Sequence, residues 1–190
     1  MSVSGVVVVV LVVLVAAYAV ILYNALVRLK HGVGKAWANI EVLLKQRHDE
    51  LPKLVETCKQ YMQHERTTLE QVIAARNAVA SAREKHDLGA LGQAESGLRA
   101  GLGQLFALAE NYPELKANES FQFLQQRISG LENGIADRRE LYNEAVNLNN
   151  VRIEQFPDVL IARGFGFRSA ELLEFSAAEK ADVDLKQLFG

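Results

Sequence analysis

The sequence predicts an all-α protein, an antiparallel helical bundle behind a single N-terminal transmembrane helix, and three observations lead there. Gly5 to Tyr23 holds no charged residue, and Val6 to Val15 is entirely Val and Leu. Beyond that run, apolar residues recur at three-four spacing through long stretches, which keeps them on one face of a helix. No segment alternates apolar and polar residues for long enough to make a convincing strand. With 190 residues the chain can bury one real core but not two large ones. Only 3 prolines, 13 glycines and 7% aromatics point away from disorder and from a turn-rich β fold.

The first element is the apolar run. About 20 apolar residues, rising about 1.5 Å each, cross a hydrocarbon layer roughly 30 Å thick. Ala17-Tyr18-Ala19 has the small-x-small form of a signal cleavage site, but no Lys or Arg precedes the run. The apolar stretch also continues past that site through Val20, Ile21 and Leu22, so a retained anchor is the expectation. Arg28, Lys30 and Lys35 follow, with no acid until Glu41. The positive-inside rule then puts the N-terminus outside and the rest in the cytoplasm, in a single pass. Tyr18 and Tyr23 suit the membrane interface.

The next stripe is Val33, Trp37, Ile40, Leu44, Arg47, Leu51, Leu54, Cys58, Met62, Glu65, Leu69 and Val72, stepping by three or four. Gly32-Val33-Gly34 is the expected joint with the membrane helix, because paired glycines weaken a helix. Pro52 leaves two alternatives. It sits in the first turn of a new helix capped by Asp49, or it kinks one continuous helix. Between Asp87 and Gly103 five glycines predict a loop first, with a helix established by Leu98 and ending near Asn111 before Tyr112-Pro113. A last helix starts between Ala117 and Ser120. It carries Phe121, Leu124, Ile128, Leu131, Ile135, Arg138, Tyr142, Ala145 and Asn149, and Phe156-Pro157 closes it.

The charge balance, 21 Lys+Arg against 23 Asp+Glu, lacks the basic excess of a nucleic-acid binder. A single cysteine excludes an internal disulfide and a Cys-rich metal site. Cys58 lies on the apolar stripe as a small core residue, and His64 falls on another face, so it is no local base. His48-Asp49, His64-Glu65 and His86-Asp87 are neighbours about 100° apart on a helix, which is not chelating spacing. No cofactor and no metal is expected. Gly164-Phe165-Gly166-Phe167 lacks the third glycine and the Lys-Ser/Thr of a phosphate loop, and no serine sits in a G-x-S-x-G context.

Arg47, Glu65, Arg138 and Asn149 occupy otherwise apolar stripes. The base expectation is that such residues sit at the stripe edge and reach water. A polar network inside the bundle that fixes helix register is the second reading, and a binding or catalytic role the third. Phe156, Val159, Leu160, Ile161, Phe165 and Phe167, with Arg163 and Arg168, either close the open end of the bundle or lie in the membrane interface.

Several motifs resemble the LemA family. They are Tyr23-Asn24-Ala25-Leu26-Val27, Ala36-Trp37-Ala38-Asn39-Ile40, Arg47-His48-Asp49-Glu50-Leu51-Pro52, Leu54-Val55-Glu56 and His64-Glu65. Glu110-Asn111-Tyr112-Pro113-Glu114-Leu115-Lys116-Ala117-Asn118 is similar to that family's linker before its last long helix. Glu132, Arg139, Tyr142-Asn143, Val146 and Asn150 fit its closing helix, and Phe156-Pro157 with Gly166-Phe167 its C-terminal segment. The resemblance runs from Tyr23 to Phe167, and the tail after Arg168 departs from it. It implies an antiparallel up-and-down four-helix bundle on one anchor in the bacterial cytoplasmic (inner) membrane. It implies no established catalytic activity.

The expected organisation is an anchor over 1–23, a helical bundle over 24–156, and a C-terminal segment over 157–190 packed partly on the bundle or the membrane surface. The expected function is a scaffold or adaptor, not an enzyme. Its partners are the lipid bilayer and either further copies of itself or another membrane protein, with no nucleic acid and no known small-molecule substrate. Membrane organisation or stress response are the roles the resemblance permits. The alternative is a ligand-binding protein or enzyme with a polar site inside the bundle, built on Glu65, Arg138 and Asn149.

Overall fold

A computed structural model of the chain describes residues 3–174. Among the described residues it has six helices and no strand. They are α1 (Val3–Lys59), α2 (Arg66–Glu84), α3 (Leu88–Ala109), α4 (Pro113–Lys116), α5 (Glu119–Glu154) and α6 (Asp158–Phe165). The expected C-terminal segment lies outside the described residues from position 175 onward.

The chain divides into two compact units. One holds α1 up to Asn39 together with Arg139–Leu172. Its buried side chains include Leu22 and Leu26 of α1, Tyr142 and Val146 of α5, and Ala162 of α6. Trp37 and Tyr142 meet edge-on, with ring centroids 5.7 Å apart. The other unit holds Ile40–Arg138 and, among the described residues, Leu173 and Glu174. Its core is built from Ile40, Leu44, Leu51, Leu54 and Cys58 of α1, Leu69 and Val72 of α2, Leu98, Leu102 and Leu105 of α3, and Phe121 and Ile128 of α5.

At 57 residues, α1 is the one described helix long and apolar enough to cross a membrane. From Val7 to Val15 every side chain is at least 52% exposed, so no protein core covers this run. The helix passes Tyr23 and the Gly32-Val33-Gly34 motif without a break, which corrects the expected joint. A Cβ at Gly32 or Gly34 would meet nothing within 4 Å, so neither glycine marks a close approach. Burial of Leu26 before the pair and Ile40 after it outweighs a propensity penalty of about 1 kcal/mol per glycine.

The alternatives at Pro52 resolve to the continuous helix. Proline has no N–H, so the carbonyl four residues back, at His48, loses its helical donor. Arg76 of α2 replaces it: its Nε donates to the His48 carbonyl at 3.0 Å. The unbroken stripe hides the break that does occur. α1 ends at Lys59, and Tyr61 N and Met62 N both donate to the Cys58 carbonyl, at 3.0 and 2.8 Å. Met62 is fully buried in the turn, so the apolar phase passes across it.

The glycine-rich stretch is a second correction. α3 starts at Leu88, because the Asp87 carboxylate accepts from Ala90 N at 2.8 Å and caps it. Leu91 is buried on the same face as Leu98 and Leu102, and that burial offsets the weak propensity. Gly92 has its own reason. A Cβ there would lie 2.0 Å from the Glu174 carbonyl oxygen.

Candidate functional site

The stripe residues have separate partners. Arg47 is 1% exposed on α1, and its two terminal nitrogens donate to Glu95 of α3 and Glu132 of α5. Burial by itself would lower the Arg47 pKa, but the paired carboxylates outweigh it and hold the guanidinium above its usual value. Arg99 Nε reaches the other oxygen of Glu132 at 3.4 Å. One arginine thus ties three helices together by charge-assisted hydrogen bonds.

Glu65 lies at the start of α2, where its side chain makes no cap bond. It accepts instead from Tyr112 Oη at 3.2 Å. Burial and this carboxylate hold the Tyr112 phenol above its ordinary pKa. Beside it, Asn118 Nδ2 donates to Tyr61 Oη at 3.1 Å, while its Oδ1 caps α5 by accepting from Phe121 N at 3.0 Å. Arg138 is exposed on α5. Asn149 is buried in the other unit, where its Nδ2 donates to Asn150 Oδ1 at 3.1 Å and to the Arg168 carbonyl at 3.4 Å. Among the described residues no hydrogen bond or ion pair links Arg47, Glu65 and Arg138 to one another.

The base expectation that Arg47 sits at the edge of its stripe and reaches water is corrected: it is buried, because Glu95 and Glu132 pair with its charge. Glu95 was hidden because the stretch around it looked like a loop. In a helix, Leu91, Glu95, Leu98 and Leu102 fall at three-four spacing on one face, and that was the available signal. Asn150 was noted only through the family resemblance. Its amide exchanges two bonds of 2.9 Å with the backbone of Ala170, which fastens the chain after α6 against α5. Arg76 was missed altogether. Its Nη2 lies 2.6 Å from His48 Nε2, and because arginine only donates, that nitrogen accepts as a neutral imidazole.

The residues expected at the membrane lie around α6. Phe165 and Phe167 both meet Tyr23 edge-on, with centroids 4.9 and 5.7 Å apart. Phe165 is 66% exposed, Phe167 half-buried, and Arg163 and Arg168 exposed. Gly166, at φ 72°, ends α6 in the left-handed region and lets Phe167 N donate back to the Ala162 carbonyl at 2.9 Å. Among the described residues no three His, Cys, Asp or Glu side chains are grouped to hold a metal ion. Cys58 is fully buried, and burial pushes its thiol up to about 12.

A family profile described as the LemA family matches residues 36–186, which corrects the expectation that the tail departs from the family after Arg168. The chain is similar to magnetosome protein MamQ 2 of Paramagnetospirillum magneticum, 31% identical over 96 residues, covering 50% of this chain and 35% of that protein. It is 27% identical over 96 residues to magnetosome protein MamQ of Magnetospirillum gryphiswaldense, again 50% of this chain and 35% of the relative. The match therefore spans about a third of the length of these curated relatives.

Proposed function

The chain belongs to the LemA family, and from that premise we propose that it is a single-pass membrane scaffold or adaptor that works through helix-face contacts. In this reading the apolar half of α1 spans the bacterial inner membrane with its N-terminus outside. The remaining helices form an antiparallel four-helix bundle on the cytoplasmic side. The basic flank of Arg28, Lys30 and Lys35 supports the orientation. The order of close pairs within one unit supports an antiparallel course: Tyr23 meets Phe165 and Trp37 meets Tyr142.

The observation that carries the functional part is an exposed apolar stripe on α5. Leu141, Leu148 and Val151 are 49%, 53% and 45% exposed at a spacing of seven and then three residues, which is one helical face. An apolar stripe left open in the single chain marks a protein contact. Anchoring confines copies to a plane, and the raised effective concentration makes modest contacts sufficient. The matched relatives are magnetosome proteins by name.

The test is the size of the full chain in mild detergent. A defined species larger than the monomer, or a co-purifying membrane partner, is expected, and Leu141→Glu with Leu148→Glu should abolish it. A wild-type chain that is strictly monomeric and partner-free would argue against the scaffold. The rival reading, a ligand site inside the bundle, is favoured by one feature. A cleft of about 420 Å³ has Arg99, Glu132 and Asn133 on its walls. Thermal stabilisation of the chain by a small molecule, lost in Asn133→Leu, would select that reading.

A further inference from the structure

We infer that the cavity beneath the membrane helix, lined by Lys30, Val33, Asn149, Gly166, Phe167 and Arg168, binds the phosphate headgroup of an anionic membrane lipid. The inference rests on the membrane-anchor reading and goes beyond it by naming a ligand. The cavity measures about 310 Å³ and lies within the unit that carries the apolar helix. That volume suits a phosphate group with its ester substituent.

Depth is fixed by α1 itself. No charged residue occurs before Arg28, and Tyr23 is the position at which Phe165 and Phe167 dock. Lys30 is seven residues past Tyr23. At about 1.5 Å per residue, it lies about 10 Å further along the axis. The polar headgroup layer adds roughly 5–8 Å beyond each side of the hydrocarbon. With Tyr23 near the hydrocarbon boundary, the Lys30 backbone stands just past that layer, and a long lysine side chain leaning toward the helix N-terminus brings its ammonium back to headgroup level.

Charge points the same way. Lys30 and Arg168 both line the cavity and no carboxylate does. Among the described residues neither cation has an ion-pair partner. The chain that carries Arg168 is also fastened. The Gly166 turn reverses the chain after α6, and the buried Asn149 amide holds the Arg168 carbonyl. Phe165, next in the chain to the lining residue Gly166, is 66% exposed, and Leu160 earlier on α6 is 63% exposed, apolar surface for acyl chains on the helix that leads to Arg168. A lipid supplies both halves of this arrangement, whereas free phosphate would use only the cations.

The experiment uses the full chain in zwitterionic detergent and native mass spectrometry, with phosphatidylglycerol and phosphatidylcholine as competing probes. One phosphatidylglycerol per chain should be retained in preference to phosphatidylcholine. A basic group near an anionic surface contributes about fivefold, so Lys30→Gln with Arg168→Gln should weaken retention roughly 25-fold. Lys30→Arg with Arg168→Lys should keep it. The comparison pair Lys59→Gln and Arg66→Gln, in the other unit, should leave it unchanged. Equal retention by wild type and the Lys30, Arg168 glutamine variant, or no preference between the two lipids, would overturn the inference. Displacement of phosphatidylglycerol by millimolar inorganic phosphate would assign the cavity to free phosphate and overturn the lipid assignment. Resistance of the same proteins to carbonate extraction reads the anchor separately, so the two readings fail independently.

Discussion

Arg47 shows how a single side chain can set the register of helices distant in sequence. Two partly buried carboxylates converge on it, and removing the cation leaves both facing each other in a site with little water. Arg47→Ala should therefore cost about 3–5 kcal/mol. For a chain this size that lowers the melting midpoint in detergent by roughly 10 °C, followed by circular dichroism. A loss under about 1 kcal/mol, the range of an exposed pair, would contradict the buried role. His48 carries a pH dependence. Burial first, then the charge of Arg76, hold its pKa below the ordinary 6.5. The unfolded chain binds the proton more readily there, so this contribution is complete above pH 6.5 and is lost as the pH falls below it. Melting midpoints measured from pH 7.5 down to 5 should fall less steeply in His48→Gln than in wild type. The stripe periodicity was enough to identify Arg47 as anomalous. Its partners were not legible, because Glu95 becomes a buried-face residue only once α3 is known to start at Leu88.

At the scale of elements, the long apolar helices were readable and the places where chain propensity and tertiary contact disagree were not. Paired glycines at Gly32 and Gly34 look like a joint, yet burial on either side carries α1 through them. Conversely, the turn after Lys59 contains none of the usual breakers, and Met62 keeps the apolar phase intact across it. Pro52 is tolerated because α2 supplies the missing donor. A double-mutant cycle tests that account. Arg76→Met should destabilise the chain by about 1–3 kcal/mol when Pro52 is present, since it strands the His48 carbonyl. The loss should shrink in the Pro52→Ala background, where the helix regains its own donor. Equal losses in both backgrounds would mean that Arg76 acts through its other contacts. Gly92 makes a further prediction. Gly92→Ala forces a Cβ against the Glu174 carbonyl and should cost about 1–3 kcal/mol, although alanine is the better helix former.

At the scale of the whole molecule, one chain carries a long apolar helix, a helical body and an exposed stripe on α5. The apolar run was plain in the sequence, because Val6 to Val15 holds only Val and Leu and no charge falls between Gly5 and Tyr23. The stripe was not: the repeat through Tyr142, Ala145 and Asn149 leaves Leu141, Leu148 and Val151 off the buried face, but periodicity does not tell whether another helix covers them. Orientation is tested by impermeant thiol labelling of intact cells. Buried Cys58 should stay silent, Ser4→Cys should react, and Thr67→Cys should react only after lysis. The most direct test of the central claim is photo-crosslinking in intact membranes from a reactive residue placed at Leu148, with exposed Arg127 as the comparison position. A discrete adduct from Leu148, either with a second copy or with one recurrent membrane protein, and absent from Arg127, is the predicted result. Monomer alone from both positions, under conditions that capture a known membrane oligomer, would contradict the scaffold.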